Sequence, residues 1–209
     1  MPKSTVVFLV RHGQTPTTGK VMPGRAPGLH LAEVGRAQAQ RVAERIAALS
    51  PAPTAIYASP LERTQETAAP IARALGLRVR SHKGLLDCAV GSWEGKSLKR
   101  LARTPEWRTV VGWPTGFRFP GGESFAEMSV RAQNTVLALA EEHPGERLVC
   151  VSHADPIKVI LAAAAGVPLD MFQRIVISPC SVSAIVIGPG APFVLCVNST
   201  GSLAELVPS

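Results

Sequence analysis

The chain has 209 residues, 46% of them hydrophobic and 18% charged, which is typical of a globular protein with a well-filled core and excludes a disordered chain. The formal charge is +7, but the basic residues are scattered and form no run or tail, so we expect a small anionic partner and no nucleic acid. No apolar run is long enough to span a membrane and the N-terminus does not resemble a signal peptide. We therefore expect a cytoplasmic location, no membrane partner and a single domain over residues 1–209.

The four cysteines are far apart in the sequence and form no C-x-x-C pair, so neither a zinc site nor a redox motif is indicated. Cys88, Cys150, Cys180 and Cys196 are expected to be reduced and mostly buried. No cluster of metal ligands is visible either, so we expect the protein to work without a metal or another cofactor.

The first predicted strand ends in residues that can carry chemistry. Five apolar residues, Val6 to Val10, predict a strand covered on both faces, and Arg11, His12 and Gly13 follow where it leaves the sheet. An imidazole can attack phosphorus, a guanidinium can hold phosphoryl oxygens with two hydrogen bonds, and a glycine leaves room for a close-bound anion. Taken alone, the three residues are equally compatible with an ordinary surface loop.

The next predicted elements follow a loop rich in proline and glycine. Residues 16–30 contain three of each and predict an irregular loop over the site. Apolar residues at three- and four-residue spacing predict a helix from Leu31 to about Leu49. The apolar run from Ala55 to Ala58 predicts a second strand.

The end of the second strand carries an arginine at the start of a helix. Ser59, Pro60 and Glu62 have the spacing of an N-cap, a first helical residue and a capping box. Arg63 then lies in the first turn, where a cation faces the positive end of the helix dipole unless a bound anion relieves the repulsion. A second arginine at a strand end therefore indicates an anion pocket, with a solvated arginine as the simpler alternative.

A tight loop in the middle of the chain contains candidate acids. It follows a short strand predicted at residues 78–80 and spans residues 84–95, with two acids and several glycines. We expect this loop to pack Trp93 and to leave Asp87 or Glu94 free for catalysis.

A third strand end delivers a histidine. After a predicted ordered loop or lid at residues 104–122 and a helix at residues 123–142, residues 147–153 predict a strand that ends in His153 before another helix. The ends of parallel strands emerge at one edge of a sheet, so the residues that follow the three strands should meet there. The apolar runs of residues 175–207 should complete the sheet.

Together these motifs resemble the histidine phosphatase superfamily, the phosphoglycerate-mutase-like group. The resemblance spans residues 5–160 and rests on motifs in the family's order: Leu9-Val10-Arg11-His12-Gly13-Gln14-Thr15, Ser59-Pro60-Leu61-Glu62-Arg63-Thr64 with Thr67 and Ala68, Asp87 with Gly91 and Trp93-Glu94-Gly95, Gly122-Glu123-Ser124, and Val151-Ser152-His153. It implies an α/β fold, namely a three-layer α/β/α sandwich with a mostly parallel central sheet.

The resemblance also implies residue roles. His12 would become a phosphohistidine, and Asp87 stands where the family has its proton donor. With His153, these two form the expected catalytic set. The residues that would bind the phosphoryl group are Arg11, Arg63, His153 and Gly13.

At the proton donor the sequence departs from the family pattern. Glutamate is commoner at the position of Asp87, and the shorter aspartate moves the carboxyl group back by one methylene. In another branch the donor is an aspartate directly after the second histidine. This chain has Ala154 there and Asp155 one residue further on, so Asp155 is a rival donor.

A second departure favours hydrolysis over phosphoryl transfer. Mutases of this group usually have Trp-Asn soon after their Arg-His-Gly-Glu-Thr and a longer tyrosine-rich stretch after the acid, whereas this chain has Pro16-Thr17-Thr18-Gly19 and no such stretch. We therefore expect a histidine phosphatase, a phosphomonoester hydrolase that acts on a small phosphorylated metabolite. The alternatives are a cofactor-dependent phosphomutase of the phosphoglycerate mutase type and a non-catalytic phosphate-binding regulatory domain. The physiological substrate and a homodimer both stay open at this point.

Overall fold

Helices and strands alternate along much of the chain. The computed structural model describes residues 3–201. Its strands and helices in chain order are β1 (Thr5–Arg11), α1 (Glu33–Ala47), β2 (Ala55–Ala58), α2 (Glu62–Leu75), β3 (Val79–Ser81), α3 (Leu98–Leu101), α4 (Pro105–Gly112), α5 (Phe125–Glu142), β4 (Arg147–Ser152), α6 (Ala154–Ala164), β5 (Val182–Ile187) and β6 (Phe193–Ser199). Short 3₁₀ helices lie at Lys83–Leu85, Gly91–Trp93, Pro114–Gly116 and Leu169–Arg174.

The six strands form one sheet in the order β3-β2-β4-β1-β5-β6. The first four strands in this order are parallel, while β5 runs antiparallel to β1 and β6 antiparallel to β5. Helices α1 and α2 pack together on one face and α5 and α6 on the other. The expected three-layer α/β/α architecture with a mostly parallel sheet is confirmed.

The alternation of side chains along β1 divides the core into two halves. Val7 and Leu9 face α5 and α6, whereas Phe8 and Val10 face α1 and α2, and none of the four is more than 2% exposed. Each such side chain stabilises the fold by roughly 1.5–3 kcal/mol through burial. The strand that precedes the candidate site is therefore held from both sides.

The register of the parallel strands brings the three candidate strand ends together. Arg11 at the end of β1 pairs with Ser152 on β4, and Ala58 at the end of β2 pairs with Val151 on the same strand. Since β4 lies between β1 and β2, the residues that follow these strands leave the sheet at one edge, as predicted.

The predicted capping box at the start of α2 is wrong. The helix begins at Glu62 with Leu61 as its extended N-cap residue, and no side chain caps it. The hydroxyl of Ser59 instead lies 3.0 Å from Nε2 of His153, and the Glu62 carboxylate accepts the N–H of Gly28 at 3.0 Å. The two polar side chains therefore hold the site and the neighbouring loop, two contacts that local spacing does not reveal.

The other differences from the predicted elements are local. Residues 104–122 contain the helix α4, which starts with a proline at its first position, although their content of proline and glycine predicted a loop. Strand β3 covers residues 79–81 rather than 78–80. Strands β5 and β6 complete the sheet, as predicted for the C-terminal apolar runs. Residues 202–207 of that prediction lie outside the described part of the chain.

The structure also bears on the predictions about the cysteines and about membrane-spanning segments. Within residues 3–201 all four cysteines are free, three of them buried and Cys196 partly exposed, as predicted. None of the helices in this range combines the length and the apolar character that crossing a membrane requires.

Candidate active site

The imidazole of His12 is fixed in one orientation at the end of β1. Its Nδ1 lies 2.7 Å from the carbonyl oxygen of Gly13, which can only accept a hydrogen bond, so Nδ1 carries the proton and donates it. The backbone N–H of His12 donates to the carbonyl of Ser152 on β4 at 3.0 Å. The lone pair of the ring is therefore on Nε2, the atom that is free to act as a nucleophile.

The surroundings of His12 keep it neutral. Burial lowers its pKa to about 3, and the nearby positive charges of Arg63 and Arg11 act in the same direction. The side chain is 6% exposed and lines the cavity described below. A neutral imidazole needs no separate base before it attacks.

Arg63 brings a fully buried positive charge to the site. Its Nη2 donates to the carbonyl of Gly24 at 2.8 Å and lies 3.3 Å from Oδ2 of Asp87. Its Nε and Nη1 have no hydrogen-bond partner among the described residues, and burial lowers its pKa. Buried donors without partners destabilise a fold by about 1–3 kcal/mol each, a cost that a bound anion would offset.

Arg11 is the second cation of the site. Its Nη1 donates to the carbonyl of Ile177, while its Nε has no hydrogen-bond partner in the described part of the chain. The guanidinium is partly exposed and lines the cavity, and burial lowers its pKa despite the nearby carboxylates of Asp87 and Asp155. Arg11 therefore has a donor left for a ligand.

His153 lies directly against His12. The two rings meet edge to face with their centroids 5.2 Å apart, and His153 is 1% exposed. Its Nε2 is bonded to the hydroxyl of Ser59, while Nδ1 is 3.6 Å from Oδ2 of Asp87, too far for a hydrogen bond. Burial, with Arg63 next in size, lowers the pKa of His153 well below its usual value, so the ring is neutral in the absence of an anion.

The two candidate acids are placed differently. The Asp87 carboxyl is 16% exposed, and burial raises its pKa to about 6 although Arg63 opposes the shift. Asp155 in the first turn of α6 is 35% exposed and lies 3.5 Å from Nζ of Lys158. Only Asp87 contacts both a candidate phosphate-binding arginine and His153, and a carboxyl group with a raised pKa is suited to give up a proton near neutral pH.

Gly13 has a different reason for being glycine than the one inferred from the sequence. A Cβ atom built on it would lie 2.6 Å from the carbonyl oxygen of Gly35 in α1, so the missing side chain allows the loop and the helix to approach. Its N–H already donates to Oγ1 of Thr67 at 3.0 Å. The expected contact of Gly13 with phosphate remains a prediction.

A partly buried arginine on α5 holds the loop that carries Asp87. Nη1 of Arg131 donates to the carbonyls of Gly84 and Leu86 at 2.8 and 2.9 Å, and Nη2 lies 3.3 Å from the carbonyl of Asp87. Its Nε and Nη2 each donate to one oxygen of Glu123 at 2.9 Å. No local pattern in the sequence points to Arg131, because its partners lie up to 47 residues away and only the fold brings them together.

The 16–30 loop joins the same network through Arg25. Nε of Arg25 donates to the carbonyl of Asp87 at 2.9 Å, and Nη2 lies 2.8 Å from Oε1 of Glu123. Its backbone N–H donates to the carboxylate of Glu94, the other acid considered for catalysis. Glu94 is exposed and absent from the cavity wall, so its structural role is to hold this loop.

The site residues surround one end of a cavity of about 470 Å³. Arg11, His12, Asp87 and Asp155 line it, and Arg63 and His153 contact these lining residues at Asp87 and His12. The 16–30 loop covers it with residues 17–19, residues 21–24 and Leu29, as predicted. A cavity of this size lies within the range of small-molecule sites.

Comparison with known proteins decides the family. The family model for the histidine phosphatase superfamily (branch 1) matches residues 7–200. The chain belongs to this superfamily. Among its relatives within the superfamily is a protein of Cronobacter sakazakii named "Probable phosphoglycerate mutase GpmB", which is 35% identical over 182 residues that cover 86% of this chain and 83% of the relative.

Solved structures of similar fold include phosphatases. One is the phosphoserine phosphatase of Entamoeba histolytica in complex with 3-phosphoglyceric acid, which is 27% identical to this chain with a TM-score of 0.83. The match covers 94% of this chain and 98% of the phosphoserine phosphatase. A mycobacterial glucosyl-3-phosphoglycerate phosphatase is 24% identical with a TM-score of 0.84, covering 95% and 100%, and supports the fold alone. The names of the relatives thus include both phosphatases and a phosphoglycerate mutase.

Proposed function

We propose that the protein is a phosphomonoester hydrolase that works through a phosphohistidine at His12. The observation that carries this proposal is a neutral imidazole whose Nε2 is free, surrounded by buried polar atoms without partners among the described residues. These atoms are Nε of Arg11, Nε and Nη1 of Arg63, and Nδ1 of His153, which is a donor when Nε2 of that ring accepts the hydroxyl hydrogen of Ser59. The oxygens of a phosphoryl group can accept hydrogen bonds from all of these atoms.

In the first step His12 takes the phosphoryl group. The lone pair of Nε2 attacks phosphorus, the new P–N bond forms, and the bond from phosphorus to the ester oxygen breaks. Asp87 gives its proton to the departing oxygen, so the organic product leaves as a neutral alcohol. The two arginines stabilise the charge on the three phosphoryl oxygens.

In the second step water removes the phosphoryl group. The Asp87 carboxylate accepts a proton from a water molecule that attacks phosphorus, the P–N bond breaks, and inorganic phosphate leaves with Nε2 restored. The two steps together convert one ester and one water into one alcohol and one phosphate. Asp87 ends protonated, as it began, and is ready for the next cycle.

The proposed reaction uses protein cations in place of a metal ion. Arg11 and Arg63 supply the positive charge that a bound magnesium or zinc ion supplies in other phosphatases. We therefore expect turnover to be unchanged by a chelator such as EDTA, and inorganic phosphate to compete with the substrate because the same donors bind the product.

A phosphomutase is the second candidate, because one relative is named as a phosphoglycerate mutase. The deciding experiment incubates the protein with 3-phosphoglycerate and catalytic 2,3-bisphosphoglycerate and follows both phosphate and 2-phosphoglycerate. If the protein is a hydrolase, we expect either phosphate release or no reaction with 3-phosphoglycerate. We also expect phosphate release from other phosphomonoesters in a panel. Rapid formation of 2-phosphoglycerate would show a mutase, and phosphate binding without any turnover would show a non-catalytic domain.

A further inference from the structure

The part of the cavity beyond the phosphoryl site is largely apolar. Its wall is formed by side chains from the 16–30 loop, from α3 and α4, and from the segments around residues 119–125 and 175–177. The largest of these side chains are Met22, Leu98, Trp107, Phe119, Phe125 and Ile175. This wall faces the organic part of any ester whose phosphoryl group lies against His12.

The aromatic members of the wall are supported from behind. Trp107 is partly buried and stacks on Trp93, with ring centroids 6.2 Å apart and an angle of 20° between the planes. Phe119 and Phe125 contact each other edge to face at 5.3 Å and are at most 2% exposed. The flat apolar surface is therefore rigid before any ligand binds, and a preformed surface loses little entropy on binding.

The charges on the wall do not favour a second anionic group. Besides the neutral His12, four acidic or basic side chains line the cavity within the described part of the chain, and Arg11 belongs to the phosphoryl site. Of the others, Asp87 and Asp155 are acids, and Lys158 has its Nζ 3.5 Å from the Asp155 carboxylate. A carboxylate or a second phosphate on the substrate would thus meet two acids and one cation that is already paired.

The uncharged polar groups of the wall are already bonded to each other. The Thr15 hydroxyl lies 3.0 Å from that of Thr18 and 3.4 Å from that of Thr17, and Nε2 of Gln173 donates to the carbonyl of Val110 at 3.0 Å. A sugar with several hydroxyl groups would therefore have to compete with these existing hydrogen bonds for the hydroxyl and amide groups of the wall.

We infer that the substrate is a phosphomonoester whose organic part is uncharged and apolar and about the size of an aromatic ring. This inference rests on the proposed phosphatase function and specifies its substrate class. It separates this protein from the phosphoglycerate derivatives named for its relatives, which carry a carboxylate as well as the phosphate ester.

The test compares alkyl esters, so that the departing alkoxides differ little in basicity. The rates of phosphate release are measured for 2-phenylethyl phosphate, hexyl phosphate, glycerol 3-phosphate and 3-phosphoglycerate. Burying a phenyl ring is expected to raise kcat/KM for 2-phenylethyl phosphate about ten- to a hundredfold above that for glycerol 3-phosphate. A higher kcat/KM for glycerol 3-phosphate or 3-phosphoglycerate overturns the inference and leaves the phosphatase function standing.

Two tryptophan variants locate the effect. Trp107→Ala should lower the ratio of kcat/KM for 2-phenylethyl phosphate to that for glycerol 3-phosphate about tenfold. The matched control is Trp113→Ala, because Trp113 is 61% exposed, is close in sequence and does not line the cavity, and this change should leave the ratio as it is. An unchanged ratio in Trp107→Ala, or an equal drop in both variants, contradicts the assignment of the wall.

If no ester in the panel is hydrolysed, the proposed phosphatase function is wrong. The esters are then stable ligands, and calorimetry can compare their binding directly. Tighter binding of 2-phenylethyl phosphate than of glycerol 3-phosphate would support the apolar site, and the reverse order would overturn it.

Discussion

At the scale of single residues, the chemistry depends on which atoms are protonated. The Gly13 carbonyl holds the proton of His12 on Nδ1, and burial next to Arg63 lowers the pKa of the ring, so Nε2 is unprotonated near neutral pH. Burial has the opposite effect on Asp87, because it raises the pKa of the carboxyl group to about 6 and extends the pH range in which the acid keeps its proton. One environment thus provides a neutral nucleophile and a protonated acid side by side.

The role of Asp87 can be tested with leaving groups of different basicity. Asp87→Asn should slow hydrolysis of an alkyl phosphomonoester by roughly a hundred- to ten-thousandfold, because an alkoxide needs a proton to leave. Hydrolysis of 4-nitrophenyl phosphate should slow far less, because nitrophenolate leaves with little help. Steady-state rates for the two esters give the comparison.

Asp155→Asn is the control for this experiment. It lines the same cavity, but its carboxylate faces Lys158 and not His153. The change should affect both esters to the same small extent. If instead Asp155→Asn shows the leaving-group dependence and Asp87→Asn does not, the proton donor is the residue on α6.

The pH dependence follows from the raised pKa of Asp87. Its proton is present below about pH 6 and is lost as the pH rises, so kcat/KM for the alkyl ester should fall relative to that for 4-nitrophenyl phosphate between pH 5 and 8. The phosphate group of 4-nitrophenyl phosphate is the more acidic of the two, so at each pH the ratio for the unaltered protein is divided by the ratio for Asp87→Asn, which carries the same substrate ionisations. This quotient should fall between pH 5 and 8, and a flat or rising quotient would count against Asp87.

At the scale of elements, the position of Asp87 depends on a loop that is held by a helix. Arg131 on α5 donates to three carbonyl groups of that loop, and the Glu123 carboxylate accepts hydrogen bonds from Arg131 and from the N–H of Ala89. The loop itself has no regular structure at Asp87, so these contacts supply the order that a strand would otherwise provide.

Loss of Arg131 should therefore resemble a weak form of the Asp87 change. Arg131→Ala is expected to slow the alkyl ester more than 4-nitrophenyl phosphate and to lower the free energy of unfolding by about 1–3 kcal/mol, because three partly buried carbonyl groups lose a donor. Denaturant unfolding and the two-ester assay measure both effects. Equal slowing of the two esters would mean that Arg131 supports the fold without positioning the acid.

Arg118→Ala is a matched control on the same helix region. Arg118 pairs with Glu127 in the first turn of α5, but both side chains are more than half exposed. Exposed pairs contribute little to stability, so this change should alter neither the unfolding curve nor the ratio of rates for the two esters.

The elements that could be predicted are those set by local patterns. The strand predicted from the apolar run of β1, the helix predicted at residues 123–142, and Arg63 in the first turn of a helix all lie where local sequence patterns placed them. The prediction of a capping box for α2 was wrong because the Ser59 hydroxyl bonds to His153, a residue 94 positions away. Arg131 gave no signal for the same reason, since its partners are carbonyls in a distant loop.

At the scale of the whole molecule, the sheet order explains how distant residues form one site. Placing β4 between β1 and β2 brings His12, Arg63 and His153 to one edge, although more than 140 residues separate the first from the last. The strand ends could be predicted to converge because parallel strands share an edge. The apolar wall could not, because it combines loop and helix residues whose meeting depends on the complete fold.

The measurement that tests the central claim most directly is the capture of the phosphoenzyme. Protein mixed with a turned-over phosphomonoester and quenched rapidly should carry one phosphoryl group that is labile in acid and stable in base, and peptide mapping should place it on His12. His12→Ala should carry none and should release no phosphate. Turnover without any phosphoenzyme, or the same labelling in His12→Ala, would contradict the mechanism.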